Sequence, residues 1–230
     1  MDALTLGPIK SLSGEIRLPG SKSISNRTLL LAALARGRTR IVNLLESEDT
    51  ELMRRALDAL GIAVSRDGDA WVVEGGDGPL VTDGRRAELN LGLAGTAIRP
   101  LAAALTLGNG EFTLDGAPRM RERPIGHLVD ALRDLGADID YAAASGFPPV
   151  RIHASGLAGG KAEIDGSVSS QFLTSVLLAA PLAQRPVSLG VRGELVSKPY
   201  IDITLDLMAR FGAEVRHAVH QRFEVANGER

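Results

Sequence analysis

The chain has 230 residues, 44% of them hydrophobic and 23% charged, with a formal net charge of −2. That balance excludes wholesale disorder, which needs low hydrophobicity and high net charge, and 26 basic against 28 acidic residues argues against a nucleic-acid binder, whose mark is a basic excess. With no cysteine, disulfides, thiolate metal sites and a cysteine nucleophile are excluded.

The first ten residues have an early Asp2 and no apolar run behind a basic start, so they do not read as a signal peptide. The longest apolar runs, residues 28–35 and 172–183, fall well short of the ~20 residues a membrane helix needs. The expectation is a soluble, cytoplasmic protein. His127, His153, His217 and His220 show no clean metal spacing, and the His217-x-x-His220 pair reads as surface.

The first predicted helix is apolar nearly all round (Leu29-Leu30-Leu31-Ala32-Ala33-Leu34-Ala35) and reads as buried. A short β-like run, Arg40-Ile41-Val42, follows. Next comes an amphipathic helix with Leu52, Met53, Ala56, Leu57 and Leu60 on one face, stopped by Gly61. An alternating stretch then reads as strand.

The same syntax recurs twice. The second unit has a buried helix at Leu101-Ala102-Ala103-Ala104-Leu105, a run at Glu111-Phe112-Thr113-Leu114, and a face of Ile125, Leu128, Val129, Leu132 and Leu135 ending at Gly136. The third has Val176-Leu177-Leu178-Ala179-Ala180, then Val187-Ser188-Leu189, then Ile201, Leu205, Met208 and Phe211 before Gly212. The period of about 75 residues is too long for a solenoid. Each unit reads as strand, buried helix, strand, amphipathic helix, strands, with approximate bounds 18–88, 89–160 and 161–228. Three copies predict an α/β (α+β) pseudo-threefold domain, with the buried helices central and the sheets outside.

The buried helices start in related loops: Pro19-Gly20-Ser21-Lys22-Ser23-Ile24-Ser25-Asn26-Arg27, Leu91-Gly92-Leu93-Ala94-Gly95-Thr96-Ala97-Ile98-Arg99, and Asp165-Gly166-Ser167-Val168-Ser169-Ser170-Gln171. A helix N-terminus presents free N–H groups and attracts anions. Serine at such a position also simply caps its helix, and for one loop that is the better reading; three related loops favour a shared anion site. Two further loops carry cations, Arg119-Met120-Arg121-Glu122-Arg123-Pro124 and Ser197-Lys198-Pro199-Tyr200. Pro124 is expected at the first position of the second amphipathic helix. Three arginines there oppose the helix dipole, and an anionic ligand would relieve them. No metal cage, dinucleotide fingerprint or P-loop is visible. The residues by themselves describe a binder of small, multiply anionic molecules.

At these loops the chain resembles the 5-enolpyruvylshikimate-3-phosphate synthase family. The matching stretches are Leu18-Pro19-Gly20-Ser21-Lys22-Ser23-Ile24-Ser25-Asn26-Arg27, Arg119-Met120-Arg121-Glu122-Arg123-Pro124-Ile125, Asp165-Gly166-Ser167-Val168-Ser169-Ser170-Gln171-Phe172 and Ser197-Lys198-Pro199-Tyr200-Ile201-Asp202. The resemblance spans the whole chain and about half of the family's enzyme. It implies three βαβαββ units forming an inside-out α/β barrel domain over residues 18–230. It further implies that residues 1–17 join a second, C-terminal domain, which is the chain's partner across a cleft.

The implied reaction transfers the enolpyruvyl group of phosphoenolpyruvate to the 5-hydroxyl of shikimate 3-phosphate, with neither metal nor organic cofactor. By the same resemblance Ser169, Ser170 and Ser197 hold the shikimate phosphate, Ser23 and Arg27 its carboxylate, and Tyr200 lies beside it. Lys22, Gly95, Arg123 and Gln171 contact phosphoenolpyruvate, and Lys22 is the catalytic candidate for proton traffic.

Two departures stand out: Leu93 replaces the asparagine of a Gly-Asn-Ala-Gly-Thr pattern, and the carboxylate, lysine and arginines of the family's second half lie outside these 230 residues. A fragment of this kind is expected to bind shikimate 3-phosphate without turning over alone. The alternatives are a non-catalytic module for anionic metabolites and a relative of UDP-N-acetylglucosamine enolpyruvyl transferase, whose usual cysteine is missing here.

Overall fold

A computed structural model describes residues 3–5, 7–80 and 86–228. Three central helices are buried along nearly their whole length: α1 (Lys22–Leu34), α3 (Gly95–Leu105) and α5 (Ser170–Ala179). Their small and branched apolar residues, among them Leu29, Leu30, Leu101, Leu105, Leu173 and Leu177, are fully enclosed. The amphipathic helices α2 (Glu48–Ala59), α4 (Gly126–Asp134) and α6 (Lys198–Arg210) bury one stripe each, for example Met53 and Leu57, Leu128 and Leu132, Ile201 and Met208. Gly61, Gly136 and Gly212 all follow their helices with φ between 82° and 94°, the left-handed conformation that suits glycine.

Each unit contributes one sheet. The strands are β1 (Arg36–Val42), β2 (Val64–Asp67) and β3 (Ala70–Gly76), then β4 (Arg86–Asn90), β5 (Asn109–Asp115), β6 (Ile139–Tyr141) and β7 (Val150–Ser155), then β8 (Gly160–Asp165), β9 (Val187–Arg192), β10 (Val215–Ala218) and β11 (Arg222–Val225). The sheet orders are β1-β3-β2, β4-β5-β7-β6 and β8-β9-β11-β10. In the second and third sheets the strand entering the buried helix pairs in parallel with the strand leaving it, Leu89 opposite Leu114 and Ile164 opposite Val191. All other pairings are antiparallel. A single cluster of buried apolar side chains runs through all three units.

Two expectations need correction. The first unit has no opening strand: residues 7–20 carry none, and Leu12, Ile16 and Leu18 are exposed. Extended chain becomes a strand only where another edge satisfies its backbone groups, and no described residue pairs with this stretch. The second correction is the start of α4. It begins at Gly126, with Ile125 as its cap, so Pro124 precedes the helix. A 3₁₀ turn, Pro118–Glu122, comes first and holds Arg119 and Arg121. Residues 81–85, within the approximate bounds of the first unit, lie outside the described residues. Among the described residues no helix is long and apolar enough to cross a membrane.

Candidate functional site

The N-terminal ends of the central helices are stitched to one another by polar side chains. Asn26 donates from Nδ2 to Thr96 Oγ1 at 2.8 Å, linking α1 to α3. Arg99 donates from Nη1 to Gln171 Oε1 at 2.7 Å, linking α3 to α5. Arg27 donates from Nη2 to Thr174 Oγ1 at 3.3 Å, closing the ring between α1 and α5. Four of these six residues (Asn26, Arg27, Arg99 and Thr174) are almost fully buried.

A cavity of about 260 Å³ opens at this end, lined by Ser23, Arg27, Thr96, Val168, Ser169, Ser170, Gln171, Val196, Ser197 and Tyr200. It brings together seven of the sequence-predicted residues: Ser23, Arg27, Ser169, Ser170, Gln171, Ser197 and Tyr200. Arg27 is its most informative member, being only 4% exposed. Its Nε donates to Thr204 Oγ1 at 2.9 Å and its Nη1 to Ser23 O at 2.9 Å. With the Thr174 bond, three of its five N–H groups are used and two remain. All its partners are neutral, and among the described residues it has no carboxylate partner. Burial lowers its pKa to about 10, which still leaves it a cation at neutral pH. An uncompensated buried charge is costly, and an anion in the cavity offsets that cost. Tyr200 is about half exposed, its ring 5.9 Å from the Arg27 guanidinium carbon.

The serines divide by role. Ser169 is the cap of α5 and accepts from Gln171 N at 3.2 Å, as the capping reading anticipates. Ser197 stands at the same place before α6 but makes no capping bond, and its backbone is left-handed, φ 56° and ψ 42°. A non-glycine residue held there is strained, and such strain concentrates at functional sites.

Lys22, Gly95 and Arg123 do not line the cavity. The Lys22 Nζ lies 3.3 Å from Asp49 Oδ2, which also accepts from Thr96 Oγ1 at 3.3 Å. Gly95 is flanked by guanidinium groups: a Cβ there would lie 2.6 Å from Arg123 Nη2 and 2.7 Å from Arg99 Nη1. The Gly95 N–H donates to Leu93 O at 2.9 Å, and Arg123 Nη1 donates to the same oxygen at 3.1 Å. The expected relief of the arginine cluster by an anionic ligand is corrected in part. Arg121 is held by Asp115, Nε to Oδ1 at 2.9 Å, and Arg119 by Glu122 at 2.8 Å. Arg123 alone of the three has no carboxylate partner among the described residues.

Sequence reading missed Asp49, Thr174 and Thr204, which sit inside ordinary helix patterns and carry no motif. It also left Arg99 without a role, although a cation one turn into an apolar helix was the available signal. His217 and His220 lie with ring centroids 5.2 Å apart in a tilted arrangement, and His220 Nε2 pairs with Asp202 at 2.7 Å. Among the described residues no group of three or more His, Cys, Asp or Glu side chains could hold a metal.

The threefold helix-and-sheet repeat defines an α/β domain that gathers hydroxyls, and cations without carboxylate partners among the described residues, where its buried helices begin. By sequence the chain belongs to the EPSP synthase (3-phosphoshikimate 1-carboxyvinyltransferase) family, whose profile matches residues 6–230. Among its relatives are 3-phosphoshikimate 1-carboxyvinyltransferases of Shewanella amazonensis, 60% identical, and Vibrio vulnificus, 57% identical. In both cases the match covers 100% of this chain and 54% of the relative, so the chain spans about half their length. An EPSP synthase structure from Acinetobacter baumannii superposes with a TM-score of 0.81 at 24% identity, over 94% of this chain and 47% of the other. That likeness agrees with the α/β fold expected from the repeats.

Proposed function

We propose that this chain forms the N-terminal half of a cytoplasmic enolpyruvyl transferase and supplies the wall of the site that receives shikimate 3-phosphate. In the reaction, the enol carbon of phosphoenolpyruvate takes a proton and the 5-hydroxyl attacks the adjacent carbon. The resulting tetrahedral intermediate then loses phosphate and a proton to leave the carboxyvinyl ether. The observation that carries the reading is Arg27, a buried cation facing a serine-lined cavity with two N–H groups to spare and no carboxylate partner among the described residues.

In this reading Ser169, Ser170 and Ser197 hold the substrate phosphate, and Ser23 and Arg27 its carboxylate, with Tyr200 alongside. Phosphoenolpyruvate lies nearer Gly95 and Arg123, touching Gln171, and Lys22 moves the proton. Asp49, with Oδ2 3.3 Å from Nζ, holds the Lys22 ammonium in place. Residues 18–230 form the three-unit domain and residues 1–17 reach to a second domain, which provides the opposing carboxylate and cations. Without that domain phosphoenolpyruvate stays open to water, and loss of positioning alone forfeits ~7–11 kcal/mol of barrier reduction.

Two measurements test this. Titration calorimetry should show weak binding of shikimate 3-phosphate, weakened further in a Ser169→Ala, Ser197→Ala double variant. No heat in either protein, or equal heats, would overturn the assignment. Phosphate release should be absent for this chain alone and appear when the C-terminal half of a relative is added. Robust release by the chain alone would sink the two-wall account, and binding without release in any mixture would favour a non-catalytic module.

A further inference from the structure

Arg99 is 6% exposed, lies on α3 behind the cavity and does not line it. Its Nη1 donates to Gln171 Oε1 at 2.7 Å and to Gly95 O at 3.4 Å, and its Nη2 to Pro124 O at 3.2 Å. Its Nε is buried without any partner. Arg99 has no carboxylate partner among the described residues, and burial together with nearby Arg123 lowers its pKa to about 10. A buried cation on neutral acceptors is an expensive choice for mere packing.

A guanidinium has only donors, whereas a glutamine amide has an acceptor end and a donor end. The contact therefore fixes which end of Gln171 is which. With Oε1 held by Arg99, the amide nitrogen is the end left without a protein partner among the described residues, and Gln171 lines the cavity. A flipped amide would set donor against donor in a buried place. We propose that Arg99 is a positioning residue that locks the Gln171 amide so that its N–H groups, rather than its carbonyl, meet an anionic substrate. This rests on the shikimate 3-phosphate and phosphoenolpyruvate reading above for the ligand, but the orientation of the amide is a property of the unliganded chain.

The test has two arms. In the first, the Gln171 side-chain amide is assigned by ¹⁵N NMR from its loss in Gln171→Glu, and its motion is followed without ligand. It should be rigid in the parent chain, remain so in Arg99→Lys, which keeps a donor, and become mobile in Arg99→Met. Equal rigidity in Arg99→Met, or mobility in the parent, overturns the proposal. In the second arm, binding of shikimate 3-phosphate and phosphoenolpyruvate is measured. Arg99→Met should weaken at least one of them about tenfold, near the value of one charge-assisted hydrogen bond, with Arg99→Lys recovering most of it. Gln171→Glu should weaken binding as much or more, although it keeps the Arg99 contact and strengthens it. Undiminished binding by Gln171→Glu overturns the proposal. If the parent chain binds neither compound, the proposed function fails, while the first arm still decides the role of Arg99.

Discussion

The starts of α1 and α5 and the start of α3 are variations on one loop, and they do different work. At α1 and α5 serine oxygens cap the helix, Ser21 accepting from Ile24 N at 3.5 Å and Ser169 from Gln171 N at 3.2 Å. These two starts line the cavity along with Thr96 of α3 and the loop before α6, with Arg27 as its cation. The start of α3 has Ala94 at the cap position and no capping side chain. Its arginine, Arg99, turns instead to the Gln171 amide and to backbone oxygens. The difference teaches that a shared helix-start architecture does not give a shared role. The α1 start presents a cation to the cavity and the α5 start hydroxyls and an amide, whereas the α3 start contributes Thr96 to the lining and otherwise holds the groups around it.

Removing the direct cation should have the largest effect. Arg27→Met is expected to weaken shikimate 3-phosphate binding by about 2–4 kcal/mol, through loss of charge-assisted bonds in a buried site. Folding should survive, because replacing an unpaired buried charge by an apolar chain is often neutral or stabilising. Thr174 and Thr204 also keep each other at 3.3 Å. A melting temperature that collapses with affinity would mean Arg27 is a structural pin. The same cation fixes the pH profile. Burial lowers its pKa to about 10, below the ordinary arginine range, so its charge is lost only as pH rises through about 10. Affinity should therefore climb as the substrate phosphate takes its second charge near pH ~6 and stay level to about pH 9. A fall between pH 7 and 9 would show that another group titrates.

The two serines offer a finer cut. Ser169→Ala removes a cap and should lower stability by about 1 kcal/mol as well as affinity. Ser197→Ala removes no cap and should lower affinity alone. Ser197→Gly should go further, gaining about 0.5–1 kcal/mol by relieving the left-handed backbone while still losing affinity. Chemical denaturation beside calorimetry would separate these cases. A stabilising Ser197→Ala would contradict the division.

What could be read in advance follows from which physics repeats. The buried helices, the amphipathic helices and their glycine stops were legible because each is a local pattern written three times. The cavity residues Ser23, Arg27, Ser169, Ser170, Gln171, Ser197 and Tyr200 were named through the family resemblance; the first five also lie in the related starts of the buried helices, Ser197 and Tyr200 in the loop before α6 and its first turn. The positions of Pro124, Arg119 and Arg121 were misread because a 3₁₀ turn looks like a helix start in sequence, and Asp115 lies in a neighbouring strand. The missing first strand was misread because a strand depends on a pairing edge, which no single segment encodes. Arg99 was passed over because its partner, Gln171, lies 72 residues away.

Turning to the indirect start, Gly95→Ala should weaken phosphoenolpyruvate binding more than shikimate 3-phosphate binding. The added Cβ would come within 2.6–2.8 Å of three guanidinium nitrogens, from Arg123 and Arg99. Flexible side-chain ends can move aside, so the fold should hold. The moved groups are those proposed to meet phosphoenolpyruvate and to hold Gln171, so a loss of about 1–2 kcal/mol is expected. Equal losses for both ligands would mean that the start of α3 and the cavity form one site.

Leu93→Asn should have the smallest effect, and its size discriminates between backbone and side chain. Leu93 stands where the resembled pattern has asparagine, and its side chain is 48% exposed. The structural work at this position belongs to its carbonyl oxygen, which accepts from Gly95 N at 2.9 Å and from Arg123 Nη1 at 3.1 Å. Any residue with this backbone supplies the same oxygen. Stability should therefore change by no more than about 0.5 kcal/mol, as for a surface substitution. An amide at this position adds a donor beside Arg123, so phosphoenolpyruvate binding should gain up to about 1 kcal/mol. Shikimate 3-phosphate binding, centred on the other two helix starts, should not change. A stability change above about 1 kcal/mol would mean that the Leu93 side chain braces the loop after all. A gain shared by both ligands would erase the distinction between the two kinds of helix start.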